Sequence, residues 1–302
     1  MILVPALPLT SDESRHMQLS YYDHPPFVAW LFWLGDFTRW FPGSVRWPGV
    51  LFGHLGLWLW LRALTPFLTV EQRVQWLWLA LLSPLVGGTG LLVTPDLPLL
   101  VFYGLALWLF FLWQAAPSIG LSLVFGLALG LGFTSKYMMV LFVLSLLPLL
   151  AFSKTVRYGA LKSAHWIALG GVLGATPVWL WNYMNDFASI KFQAAHGLGR
   201  VWKPSWTIHY VGAQIGIIFP IVLYWALQAR RKLPLAFHLL AWVPLGFFFF
   251  TTFRGYVEAN WPIVAYQVIF ALAVASFPRN VRGLQITQAV WGVALVTMAA
   301  LV

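Results

Sequence analysis

The sequence predicts an all-α membrane protein, a polytopic bundle of transmembrane helices, and three observations carry that prediction. Of the 302 residues, 61% are hydrophobic and 9% charged, with a mean hydropathy of +0.80, whereas soluble domains carry roughly 25% charged residues. Apolar runs near the ~20 residues that a helix needs to cross a bilayer follow one another along the chain. Finally, 19 Trp and 24 Phe exceed what a soluble core of this size can bury, and suit helix interfaces and the two membrane surfaces.

About ten such runs can be read, at approximately 45–64, 74–93, 96–115, 118–134, 137–152, 165–184, 207–228, 234–253, 261–277 and 284–302. The other spanning architecture, a closed barrel, requires alternating strands of ~10 residues, and these runs are continuously apolar. Ahead of them, Met1 to Leu9 is apolar at about half a span's length and lacks the basic start of a signal peptide. It reads as the remnant of a truncated N-terminal span. The whole chain, 1–302, is expected to form a single transmembrane domain, with a first outer loop at 10–44 and a lid-like outer loop at 185–206.

Charge orients the bundle. Threading the runs puts the short basic linkers Lys154 to Lys162 and Arg230-Arg231-Lys232 on one side, which the positive-inside rule makes cytoplasmic. The net charge of +10 does not indicate nucleic acid, because the basic residues are scattered singly between apolar runs and form no stripe. There is no cysteine, which excludes disulfides, thiol nucleophiles and Cys-ligated metals. Of the acids, only Glu71 falls in a cytoplasmic connection. The others gather outside or at outer span ends, which places the candidate site at that face.

Within the first outer loop, Tyr21-Tyr22-Asp23-His24-Pro25-Pro26 combines phenol donors, a carboxylate and an imidazole on a backbone stiffened by proline. An Asp-His pair can bind a divalent metal or position a phosphate, and the DH dipeptide alone is weak evidence for either. The stretch Trp30 to Trp40 carries Trp33, Phe37 and Trp40 around Asp36 and Arg39, a pattern for a helix lying in the membrane interface or for a loop helix packed on its own protein. Asp96 sits between Pro95 and Pro98 in a break between two runs, where a carboxylate lacks a bland explanation. Thr134-Ser135-Lys136-Tyr137 brings an ammonium and a phenol to another outer turn. Both suit a phosphate oxyanion, and simple snorkelling of Lys136 to the headgroups is the competing reading. Asn182 leads into the lid-like loop, Asn185, Asp186, Lys191 and Lys203 lie in it, and Arg254, Glu258 and Asn260 lie in a last outer turn. His54, inside the first run, is expected to hydrogen-bond between helices.

The order of Asp12-Glu13, YYDHPP, TPD, an SKY turn, the N-x-x-N-D loop start and the E-x-N-W-P turn resembles the bacterial dolichyl-phosphate-mannose-protein mannosyltransferase-like family, which includes the lipid A aminoarabinose transferases. The resemblance runs from about Asp12 to Pro262, and YYDHPP and TPD are its most specific parts. It implies the GT-C fold, a polyprenyl-phosphate sugar donor, a lipid, glycan or protein acceptor, and catalysis on the outer face of the bacterial cytoplasmic membrane. It further implies that Asp12 is the catalytic carboxylate, with Glu13 beside it orienting the acceptor or tuning the pKa of Asp12. Tyr22, His24, Lys136 and Arg254 would bind the donor phosphate, and Asp23, His24 and Asp96 are the candidate ligands of a divalent metal ion. Asn182, Asp186, Lys191, Glu258 and Asn260 would serve the acceptor or the lid.

Two rival readings have different signatures. A polysaccharide ligase or polymerase of the same architecture would use a lipid-pyrophosphate donor. A lipid or sugar transporter would place ionisable groups at the membrane midplane, where these runs hold almost none. No Walker A pattern is present, which excludes P-loop hydrolysis.

Overall fold

Apolar runs punctuated by proline build helices and set where they break. The computed structural model describes residues 16–38, 40, 44–197, 201–278 and 282–300, and among these every regular element is helical. Asp12 and Glu13 lie outside the described residues. In chain order the α-helices are α1 (Phe27–Asp36), α2 (Trp47–Leu64), α3 (Val70–Leu82), α4 (Val86–Leu92) and α5 (Asp96–Ala115). They continue with α6 (Ile119–Ser135), α7 (Val140–Leu146), α8 (Leu149–Phe152), α9 (Lys154–Met184) and α10 (Ala188–Gly197). The last are α11 (Pro204–Ile218), α12 (Pro220–Gln228), α13 (Leu235–Thr251), α14 (Tyr266–Ser276) and α15 (Arg282–Ala300). Short 3₁₀ turns occupy Ser44–Arg46, Tyr137–Met139 and Trp261–Ala265.

The ten apolar runs do not correspond to ten continuous helices among the described residues. Among the described residues only α5 is both long and apolar enough to cross a membrane unaided, and up to three spans are reached if each bent helix pair counts as one. Hydropathy counts composition along a window and is blind to backbone continuity. Pro84, Pro148 and Pro220 lack an amide donor and clash with the preceding turn, so the runs expected at 74–93, 137–152 and 207–228 are each divided. At the last of these Phe219 adopts a φ of 72° and α11 meets α12 at 85°. His54 also differs from expectation, its Nδ1 lying 2.8 Å from Val50 O one turn back in its own helix.

The chain forms two compact units. The first comprises Met1–Trp60, Leu92–Met139 and Leu161–Gln193. Here α5 and α6 form an antiparallel hairpin through the turn that Ser118 caps by accepting from the Leu121 amide. Glycines bring α6 against α9: a Cβ on Gly126 or Gly130 would collide with the Ile167 or Gly171 carbonyl, and one on Gly170 with Leu123. This is the close approach that small residues permit between membrane helices. The buried Thr134 hydroxyl donates to Gly174 O at 2.8 Å, locking the register. Val28 and Phe32 of α1 pack with Val93 and Leu97. Trp33 and Leu34 of α1, and Phe37 just past its end, are exposed.

The second unit comprises Leu61–Leu91, Val140–Ala160 and Ala194–Val302. Its axis is α14, buried from Tyr266 to Val274 and surrounded by α3, α12 and α13. The fully buried Trp76 donates its indole N–H to Gln267 O at 2.9 Å, satisfying a polar atom that burial would otherwise penalise.

Candidate functional site

In the first unit the antiparallel α5–α6 hairpin brings the start of one helix beside the end of the other. Asp96 is the first residue of α5, where the helix dipole favours a carboxylate, and Lys136 caps the end of α6 in an extended conformation. The Lys136 ammonium donates to Asp96 Oδ1 at 2.6 Å, with the two side chains 19% and 5% exposed. The turn into Asp96 carries strain: Val93 has a φ of 51°, unusual for a β-branched residue. Gly49 makes room for it, since a Cβ there would press on the Val93 side chain.

The first loop meets the same charge. Within YYDHPP the Tyr21 amide donates to His24 O at 3.2 Å, a turn that sets His24 Nδ1 3.1 Å from Asp23 Oδ2. Burial pushes the His24 imidazole below its ordinary pKa, Asp23 opposes the shift and the Lys136 charge adds to it. His24 is therefore neutral near pH 7. Tyr21 is buried and donates to His16 O at 3.3 Å, whereas Tyr22 is exposed, its ring 4.7 Å from that of Phe192.

The end of α9 and the segment after it close on this loop. Gln193 donates to Asp23 O at 2.7 Å, Trp181 donates to Gln18 Oε1 at 2.9 Å, and Tyr137 and Ser189 share a 2.7 Å hydrogen bond. Gln18 and Trp181 were not among the sequence-derived candidates, and neither belongs to a recognisable motif. Where a lid-like loop was expected at 185–206, residues 188–197 form α10. Asn182, expected at the acceptor, is fully buried in structural work: its side chain donates to Val178 O and accepts from the Ile190 amide. The turn that follows passes through Asp186 and Phe187, both at positive φ. Asp186 and Lys191 are exposed.

Arg254, Glu258 and Asn260 belong to the second unit. Arg254 and Glu258 are exposed. Gln214 of α11 steadies the turn between them and α14, donating to Ala259 O at 3.1 Å and accepting from the Tyr266 hydroxyl at 2.6 Å.

Residues 23–181, slightly more than half the chain, match the dolichyl-phosphate-mannose-protein mannosyltransferase family. This chain belongs to that family. The matched segment carries Asp23, His24, Asp96 and Lys136, the residues of the two pairs described in the first unit. The mannosyltransferase-family chain is 24% identical over 297 residues to the lipid A galacturonosyltransferase RgtD of Rhizobium johnstonii, across 93% of its own length and 62% of that relative's. It also matches the structure of ArnT from Cupriavidus metallidurans, solved with undecaprenyl phosphate, at a TM-score of 0.68 with 18% identity. That match covers 97% of this chain and 58% of ArnT. The all-helical fold of this family member is thus that of ArnT.

The metal expectation meets a specific obstacle. Among the described residues no three His, Asp or Glu side chains converge on one point. Asp96 Oδ1 is held by the Lys136 ammonium, leaving Asp23 and His24 bonded to each other. These residues alone do not fit a three-ligand metal centre.

Proposed function

We propose that this family member is a membrane glycosyltransferase that moves a sugar from a polyprenyl-phosphate donor to a lipid, glycan or protein acceptor, on the outer face of the bacterial cytoplasmic membrane. The observation that carries the reading is the Asp96–Lys136 pair beside the neutral His24, on the segment the family shares. Transfer forms a bond from the acceptor oxygen or nitrogen to the sugar's anomeric carbon and breaks the bond from that carbon to the phosphate oxygen. The phosphate leaves with an added negative charge and the acceptor gives up a proton. Lys136, oriented by Asp96, supplies a fixed cation for the departing phosphate. The uncharged His24 ring, whose one N–H is engaged by Asp23, stands beside that cation. Asp12 accepts the acceptor's proton, with Glu13 beside it. The undecaprenyl phosphate bound by ArnT and the lipid A sugar transfer named for RgtD support a donor and acceptor of these classes.

The decisive experiment is mass-spectrometric comparison of envelope glycans and glycolipids from cells with and without the gene. It is paired with an assay of polyprenyl-phosphate release by the purified protein in nanodiscs. A sugar missing from one envelope component, with carrier release by the protein, is the expected result. Unchanged glycans and no release would overturn the reading.

A further inference from the structure

The two adjacent tyrosines of the first loop have opposite fates. Tyr21 is 7% exposed and its hydroxyl is bonded within the loop, whereas Tyr22 is 56% exposed. An exposed aromatic ring near a membrane surface is commonly a lipid anchor. Such an anchor needs only lipid around it, yet Tyr22 sits in polar company. Its ring packs at 48° against Phe192, and the next residue of that helix, Gln193, donates to the backbone of Asp23. The Asp23 carboxylate beside it is 43% exposed and pairs with His24, itself 25% exposed. Two chain segments are therefore tied together so that an aromatic pair stands next to an accessible carboxylate.

A pyranose ring has the matching chemistry. One of its faces is a patch of C–H groups that pack on the electron-rich face of an aromatic ring, and its edge carries hydroxyl or amino donors that a carboxylate accepts. We propose that Tyr22 and Phe192 form a sugar-stacking platform and that Asp23 reads the hydroxyl or amino groups of the stacked ring. Tyr22, expected from the sequence at the carrier phosphate, is thereby assigned to the sugar. The phosphate is left to Lys136. This assignment rests on the glycosyltransfer reading and specifies where that reaction recognises its saccharide. The stacked ring belongs either to the donor or to a saccharide acceptor, since both present the same faces.

The test uses the full chain in nanodiscs, with undecaprenyl phosphate and undecaprenyl phosphate linked to a neutral hexose, an amino sugar or a uronic acid as probes. For the tightest sugar-linked probe, Tyr22→Ala should raise Kd about tenfold while leaving bare undecaprenyl phosphate within about twofold. Tyr22→Phe, which keeps the ring, should bind like wild type, and Phe192→Ala should follow Tyr22→Ala. If all carrier affinities are unmoved but the KM for a saccharide acceptor rises about tenfold, the platform holds the acceptor's ring. Equal weakening of bare and sugar-linked carrier, or no change in any of these quantities, overturns the platform. Wild-type protein that binds no sugar-linked carrier and releases none overturns the glycosyltransfer reading itself.

Discussion

Lys136 Nζ lies 2.6 Å from Asp96 Oδ1, joining side chains 40 residues apart at one end of the α5–α6 hairpin. With Asp96 only 5% exposed, the carboxylate depends on that ammonium. Breaking a buried pair by removing one partner costs about 3 kcal/mol or more, so Lys136→Met should lower the melting temperature of the detergent-solubilised protein by several degrees. Adding Asp96→Asn should recover most of the loss in the same thermal melt, while sugar transfer stays abolished in both variants. A double variant as unstable as the single one would show that the pair is not an interdependent unit.

His24 gives the first loop a pH dependence of defined sign. Its folded pKa is pushed below the ordinary 6.5 by burial, with Lys136 reinforcing and Asp23 opposing. As pH falls through 6.5 the unfolded chain takes up the proton first, so stability is present above that pH and declines below it. Thermal melts at pH 7.5 and 5.5 should show this loss, and His24→Asn should flatten it. A wild-type melt that strengthens on acidification would contradict the assignment.

Gly130 lies where α6 touches α9, with no room for a Cβ against the Gly171 carbonyl. Because the obstacle is backbone, Gly130→Val should cost at least the ~1–3 kcal/mol typical of overpacking. The readout is the yield of monodisperse protein on size-exclusion chromatography in detergent. Gly120, with open space around its Cβ position, is the control: Gly120→Ala should elute like wild type.

Asp12 carries the proton-transfer role in the proposed reaction. Asp12→Asn keeps shape and hydrogen bonding but removes the proton acceptor, so turnover should fall by ~10²–10⁴-fold with donor affinity largely retained. Polyprenyl-phosphate release and lipid-donor binding, measured on the same preparation, separate the two. Equal turnover would shift the base to Asp23 or another acid of the site, whereas loss of binding and turnover together would point to a structural or metal-holding role.

Much of the helical content was legible because hydrophobic length maps directly onto helices in a bilayer. The run read at 96–115 is α5, residue for residue, since a polar Asp marks one end and Pro117 closely follows the other. The run read at 165–184 is the second part of a helix that begins at Lys154: basic residues lowered its hydropathy without interrupting its hydrogen bonds. Conversely, residues 207–228 are predominantly apolar yet bend by 85° at Phe219–Pro220. The stretch 188–197 was expected as loop because it is polar, but turns into helix where Tyr137 and Gln193 anchor it.

The sequence by itself determined the all-helical class, the bilayer as solvent, and the motifs in which polar groups interrupt apolar runs. All of these are local properties of composition and spacing. Only the tertiary structure decided which of those polar groups meet. It paired Asp96 with Lys136, set that charge beside His24, buried Asn182 near the end of α9 and turned Tyr22 outward onto Phe192. Such pairings depend on which helix ends the α5–α6 hairpin and the α6–α9 packing bring together, and a short-range electrostatic contact between residues 40 positions apart leaves no trace in either local sequence.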